Sequence, residues 1–368
     1  MKKIKILTIT TSGLYKKEGI STIILDDYSF FDKSKFKIDI IAAGDYGYEL
    51  ISEFQTIGVN IRFLPSRKTN VINYIVSYIK LLKESRYDAL YIHGSSAIMT
   101  IELIIAKMCG VKVRIVHSHN TACEHKIVDK LLRPLFYMSY TKALACGRRA
   151  GEWLYGKREF QIVRNGRDME IYRFRDEVRQ QLRNKLDIDK DTLVIGHVGN
   201  FNKQKNQEFL VRVYQEVVRK KENSKLYLMG SGCNEDNVKN LVKELGLEEK
   251  VFFTGSINNV PELLQAMDVM VLPSLHEGLP LVVIEWQIAA LPCLLSDEIT
   301  KESAYTDLVH FLPLSCTYTD WADKVIEISL LERCNIANEI LQATCVQGYD
   351  IQTNAKQLQQ LFEEECRK

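Results

Sequence analysis

Short apolar runs alternate with amphipathic stretches along almost the whole of this 368-residue chain. Residues 4–10, 36–42, 61–64, 89–93 and 113–117 are apolar runs of strand length, with two shorter ones at 142–146 and 161–164. Between them, 20–31, 71–85, 97–109 and 126–140 space their apolar residues as helices do. A charged stretch around 175–190 carries neither pattern. The alternation then restarts. Residues 193–198, 225–229, 250–254, 269–272 and 292–296 read as strands, and 207–221, 234–245, 260–267 and 281–290 as helices. A last amphipathic helix, 351–366, sets Leu358, Leu361 and Phe362 at helical spacing. Strand–helix alternation of this kind predicts parallel sheets with crossover helices. Two doubly wound α/β domains are expected, 1–180 and 191–345, with a cleft between them and 346–368 as a C-terminal helix. Ligands of such sheets bind at the carboxyl ends of the strands.

Composition narrows the class. Hydrophobic residues make up 46% and charged ones 26%, as in ordinary globular domains. The longest apolar region, 97–111, contains Glu102 and Lys107, so no transmembrane helix is expected. The apolar run after Met1-Lys2-Lys3 is too short, and broken by Lys5, for a signal peptide. Nine scattered cysteines without a C-x-x-C pair point to neither a zinc site nor a disulfide framework, and a cytoplasmic protein is expected. Net charge is only +2, but 30 Lys+Arg stand against 19 Asp+Glu in residues 1–180, and 19 against 28 in the rest. Basic residues from Lys126 to Arg179, interleaved with Trp153, Tyr155 and Phe160, predict a peripheral patch for an anionic membrane surface.

The candidate chemistry follows predicted strands. After 269–272 comes Ser274-Leu275-His276-Glu277-Gly278-Leu279-Pro280, with Glu285 eight positions beyond Glu277. Gly278 lets a backbone approach a ligand, and Pro280 suits a helix start whose amides face an anion. Two carboxylates flanking an anion site fit a ligand with two hydroxyl-rich ends and a central phosphate, the layout of a nucleotide sugar. After 193–198 comes Gly199-Asn200-Phe201-Asn202-Lys203-Gln204-Lys205-Asn206, a loop able to bring a lysine to a diphosphate but without P-loop spacing. After 4–10, Thr11-Ser12-Gly13 leads to Glu18-Gly19-Ile20-Ser21 at a helix start, which is either a phosphate site or plain turn punctuation. His117-Ser118-His119-Asn120 ends another strand. H-x-H is a metal pattern, yet the sequence places no further ligand beside it; one histidine contacting a ligand is the reading taken. Asp187-Ile188-Asp189 lies in the charged stretch and reads as solvated surface. Gly230-Ser231-Gly232-Cys233 falls short of a dinucleotide fingerprint.

Taken in order, these motifs resemble a family 4 (group 1) glycosyltransferase of the GT-B fold, in the bacterial exopolysaccharide and capsule branch. The residues that carry the resemblance are His197-Val198-Gly199, Gln204-Lys205-Asn206, Leu228-Met229-Gly230, Phe253-Thr254-Gly255, Ala266-Met267-Asp268, Pro273-Ser274 and the E-x7-E pair Glu277 and Glu285. In the first half they are His117 to Asn120, Ala145-Cys146-Gly147 and Asn165-Gly166. The resemblance implies two Rossmann-like domains facing a central cleft, with the C-terminal helix crossing back to the first. It implies a retaining, metal-independent hexosyltransferase whose donor is a nucleotide sugar, UDP-linked by prior, and whose acceptor is a lipid-linked saccharide at the membrane. No cofactor beyond that co-substrate and no nucleic acid is expected.

The same resemblance assigns roles. Glu277, with the backbone of Gly278 and Leu279, holds the donor sugar, and Glu285 the ribose. Lys205 neutralises the leaving diphosphate with help from the Gly19 amide and the loop of Gly199 and Asn200. His119 approaches the sugar at C6, with His117 as the fallback. The chain departs from the pattern at Asn200, where an arginine is usual, at Glu18-Gly19, at Arg167, where an aliphatic residue is usual, and at Trp286. A GT-B sugar-nucleotide epimerase and a non-catalytic nucleotide-sugar-binding subunit are the alternatives.

Overall fold

The computed structural model of the chain describes residues 2–15, 19–44, 46–123 and 125–368. They form two units: residues 1–166 with 348–368, and 167–347. In the first unit, seven described strands lie in one parallel sheet: β1 (Ile4–Thr10), β2 (Phe36–Ala43), β3 (Asn60–Leu64), β4 (Ala89–Gly94), β5 (Val113–Ser118), β6 (Lys142–Ala145) and β7 (Gln161–Ile162). Their order is β3-β2-β1-β4-β5-β6-β7. All six residues of β4 and of β5 are buried, as strands covered on both faces are. The second unit repeats the plan with β8 (Leu193–Val198), β9 (Ser224–Met229), β10 (Val251–Gly255), β11 (Val269–Leu272), β12 (Cys293–Ser296) and β13 (Val309–Leu312), in the order β10-β9-β8-β11-β12-β13. The strand order reverses between β1 and β4 and between β8 and β11. Loops at such points diverge and leave room for a ligand. Gly196 in β8 is dictated by packing, since a Cβ there would stand 2.5 Å from Met270 Sδ on β11.

The terminal helix Ile351–Arg367 belongs to the first unit, as expected. Its Ala355, Leu358, Leu361 and Phe362 complete the core under Tyr28, Phe31 and Tyr91. Asp350 caps it by accepting from the amides of Gln352 and Thr353.

The expected domain boundary needs correction. Residues 167–180 fold with the second unit, because the charged stretch forms the helix Asp176–Lys185. This helix docks through arginines as well as through Leu182 and Leu186, which pack on the core. Arg179 donates to the carbonyls of Gln265 and Met267, and Arg183 to that of Ala266. Both also pair with Asp268. Arg333 adds bonds to Gln265 and Met267. Three guanidiniums thus satisfy the carbonyls that the helix Val260–Ala266 leaves open at its end, the polarity a helix C-terminus prefers.

The predicted basic-aromatic patch also changes. Tyr155 is in the core, Phe160 packs onto Gly151, and the Trp153 indole donates to the Ser95 carbonyl. Arg167 and Arg179 are consumed inside the second unit. Exposed apolar residues instead line the helix Lys126–Tyr137 and the turn after it: Ile127, Val128, Leu131, Leu135 and Met138, with Lys126 and Lys130 also exposed. No helix among the described residues is long and apolar enough to cross a membrane.

Candidate functional site

In the second unit, the loops after β8 and β11 are tied together by hydrogen bonds. The Leu275 amide donates to the Gln204 carbonyl at 2.8 Å, and Gln204 Nε2 donates to the His276 carbonyl at 2.8 Å. Asn206 takes a left-handed conformation (φ 56°) before the helix Gln207–Lys220 and reaches the Pro273 carbonyl. This bracing turns Lys205 inward while Lys203 stays exposed. Lys205 Nζ meets Glu277 Oε1 at 2.7 Å. The sequence assigned these two residues to neighbouring parts of one ligand, and the fold brings them into contact.

A recess of about 320 Å³ opens beside Lys205, lined by Val198, Gly199, Asn200, Gly230, Ile257 and Val282 among others. Two glycines let the loops at and next to its wall pack closely. Gly230 has φ +140°, and a Cβ on it would stand 2.1 Å from the Gly199 carbonyl oxygen. A Cβ on Gly232 would stand 2.3 Å from the Phe201 oxygen. The Gly230–Gly232 segment, set aside as a failed dinucleotide motif, therefore serves close loop packing. Asn200 is exposed, and its carbonyl accepts from Gln207. Under the loop, buried His197 bonds the Val271 carbonyl through Nδ1, and burial depresses its pKa to about 4, so it stays neutral. Gly278 has open space where a Cβ would be, and Leu279 is half-buried. Pro280 is the residue before the helix Leu281–Ile288.

Glu285 sits within that helix and is buried. Arg167 Nε donates to Glu285 Oε1 at 2.8 Å, with both side chains at most a tenth exposed. Tyr172 gives the carboxylate another hydrogen bond. Burial raises the Glu285 pKa, and Arg167 and Tyr172 oppose the rise. Arg167 was visible in the sequence as a departure from the usual pattern, but not as the partner of a residue 118 positions away.

In the first unit, parallel pairing sets His93 opposite His117, and His119 follows at the strand end. Sequence reasoning missed His93, since nothing local marks it. Nitrogen atoms of the three rings lie within 4.8 Å of one another, a spacing that could hold a metal ion. Both nitrogens of His117 are engaged, however: Tyr91 OH meets Nδ1 at 2.7 Å, and Nε2 faces the Val163 carbonyl at 3.2 Å. His117 is thus a satisfied core histidine, which removes it as the fallback ligand contact. His93 Nδ1 and His119 Nε2 are 2.9 Å apart. Burial lowers the pKa of all three rings, that of His117 to about 4. Gly19 opens the helix Gly19–Ser29, and Glu18 lies outside the described residues. Asp187 and Asp189 are exposed, as expected, while Ile188 is buried between them.

Comparisons with known proteins agree with this architecture. Residues 178–341 match the family model described as glycosyl transferases group 1. The chain is 29% identical over 366 residues to a putative glycosyltransferase, EpsF, of Bacillus subtilis, covering 95% of this chain and 94% of the relative. It is 26% identical over 317 residues to the UDP-Gal:alpha-D-GlcNAc-diphosphoundecaprenol alpha-1,3-galactosyltransferase of Escherichia coli, covering 80% of each. Among solved structures, Anabaena HepE in complex with UDP superposes with a TM-score of 0.80 at 16% identity, covering 98% of this chain and all of that one. The fold is that of the GT-B glycosyltransferases.

Proposed function

We propose, from the match of residues 178–341 to the group 1 glycosyl transferase model, that the chain is a retaining transferase moving a hexose-type sugar from a UDP-linked donor to a lipid-linked saccharide in exopolysaccharide or capsule synthesis. The observation that carries the reading is the contact of Lys205 with Glu277 beside the glycine-walled recess of the second unit. A lysine ammonium and the amides of the Gly199–Asn200 loop are suited to a diphosphate. A carboxylate 2.7 Å from that ammonium is suited to hydroxyls of the sugar that the diphosphate bears. In this reading Lys205 stabilises the charge that grows on the leaving diphosphate, the task a metal ion performs in other sites. Glu277, Gly278 and Leu279 bind the sugar, Glu285 binds the ribose, and Gly199 and Asn200 line the phosphate end. Gly19 and His119 are proposed in the roles the resemblance gives them. No metal and no cofactor beyond the nucleotide sugar enters the reaction as proposed.

The acceptor class is supported by the Escherichia coli relative, whose printed activity names a diphosphoundecaprenol-linked sugar. The basic excess of the first half and the exposed apolar face of the helix Lys126–Tyr137 suit a protein working from the cytoplasm against an anionic membrane surface. The direct test is transfer from a panel of nucleotide sugars to a diphosphate-lipid-linked saccharide by purified protein. Wild-type transfer by both Lys205→Ala and Glu277→Ala variants would remove the site assignment. Acceptor-free isomerisation of the donor would favour the epimerase instead.

A further inference from the structure

Arg167 and Glu285 form an ion pair that is nearly sealed from solvent. Arg167 comes directly after Gly166, at the first residue of the second unit, and Glu285 is the fifth residue of the helix Leu281–Ile288. The residues flanking Glu285, Ile284 and Trp286, are fully buried and fix the helix face on which the carboxylate stands. The bond from Arg167 Nε, and the further one from Tyr172, fix its rotamer. An ionised carboxylate offers about four lone-pair sites. Arg167 and Tyr172 occupy two, and two remain, the number that a pair of adjacent hydroxyls needs. A protonated carboxyl would turn one of its oxygens into a donor and lose that match. Burial alone pushes Glu285 towards the protonated form, and the groups opposing it are Arg167 and Tyr172.

We propose that Arg167 is a positioning residue for nucleotide binding: it holds the Glu285 carboxylate in one orientation, so that it accepts both hydroxyls of a ribose diol. This rests on the nucleotide-sugar reading of the second unit and adds to it. The resemblance puts an aliphatic residue at this position, so Arg167 departs from the usual pattern. Arg167 does not touch the ligand; it acts through the charge and direction of Glu285.

The test measures binding of UDP and of 2′-deoxy-UDP to the full chain by calorimetry between about pH 6 and about pH 9, for wild type, Arg167→Met, Arg167→Lys and Glu285→Gln. For wild type, UDP binds about tenfold more tightly than 2′-deoxy-UDP across the range, the worth of one hydrogen bond to a charged group. With Arg167→Met, UDP loses about tenfold near pH 7 while 2′-deoxy-UDP changes little, and the loss shrinks as pH rises and Glu285 ionises. Arg167→Lys, which keeps the charge, restores most of the difference between the ligands. Glu285→Gln removes both that difference and the pH dependence. Equal weakening of both ligands by Arg167→Met, with no pH dependence, would mean a merely structural role and would overturn the proposal. Unchanged UDP affinity of Arg167→Met at pH 7 would overturn it as well. Wild-type discrimination by Glu285→Gln would instead remove Glu285 from the ribose site, and the proposal with it.

Discussion

Replacing Glu277 by Gln is expected to act in opposite directions on two ligands. In the second unit Lys205 Nζ and Glu277 Oε1 are 2.7 Å apart, with side chains 16% and 12% exposed, so salt screens the pair only weakly. A diphosphate drawn to Lys205 puts a phosphate oxygen on the same ammonium, which leaves two anions about 5 Å apart. With an effective dielectric between about 80 and about 20, their repulsion is about 1–3 kcal/mol. Glu277→Gln removes that repulsion and keeps the side-chain shape, so free UDP binds about 5- to 150-fold more tightly. Sugar hydroxyls, by contrast, lose a charged acceptor worth about 1.5–3 kcal/mol, and kcat/KM for transfer falls about 10- to 150-fold. Calorimetry with UDP near about 0.15 M salt and initial-rate transfer kinetics on the same preparation read the two effects. If Glu277→Gln binds UDP no more tightly than wild type, the carboxylate does not compete for Lys205, and the placement of diphosphate on that lysine is wrong.

Glycines separate folding from binding: Gly230→Ala drives a Cβ against the Gly199 oxygen at a positive φ and costs about 1–3 kcal/mol or more in denaturant unfolding. Gly278→Ala meets nothing within 4 Å, leaves stability within about 0.5 kcal/mol, and lowers transfer if the backbone there approaches the sugar. His197, buried and neutral with its pKa depressed to about 4, binds its proton more readily in the unfolded chain, so stability is full above about pH 6.5 and falls as pH drops towards 4. His197→Gln is expected to flatten that slope by about 1.4 kcal/mol per pH unit in equilibrium unfolding, and an unchanged slope would contradict it. Wild-type protein is expected to co-sediment with phosphatidylglycerol vesicles at low salt, and Leu131→Glu with Leu135→Glu to abolish this, each buried leucine contributing about 1.5–3 kcal/mol; absence of wild-type binding would refute the membrane face.

The sequence revealed those parts whose signal is local. Strands buried on both faces read as apolar runs, and the loops after β8 and β11 carried glycine, lysine and glutamate in a recognisable order. What escaped was held by polar groups. The helix Asp176–Lys185 offers only a thin apolar stripe, Val178 and Leu182, and its buried side chain is Arg183, bonded to backbone carbonyls. The edge strand β13 is only half-buried and interrupted by His310. The helices Tyr318–Ile328 and Arg333–Val346 follow it in a stretch that yielded no reading. The pairing of Lys205 with Glu277 and that of Arg167 with Glu285 depend on strand order, which no window of sequence contains. His93 joins His117 only through the parallel register of β4 and β5. Trp153, Tyr155 and Phe160 looked like a surface patch because their spacing does not show that they face inward.

The terminal helix has a consequence for how the chain is made. Phe362 packs edge-on against Phe31 and Tyr91, so the core of the first unit draws on residues 350–362 as well as on the first strands. The second unit is continuous in sequence, from Arg167 to Gln347. During synthesis it can therefore close as soon as its own residues have left the ribosome, whereas the earlier-made unit must wait, with Phe31 and Tyr91 uncovered, until residues 350–362 have been translated as well. The half that emerges first is the half that finishes last.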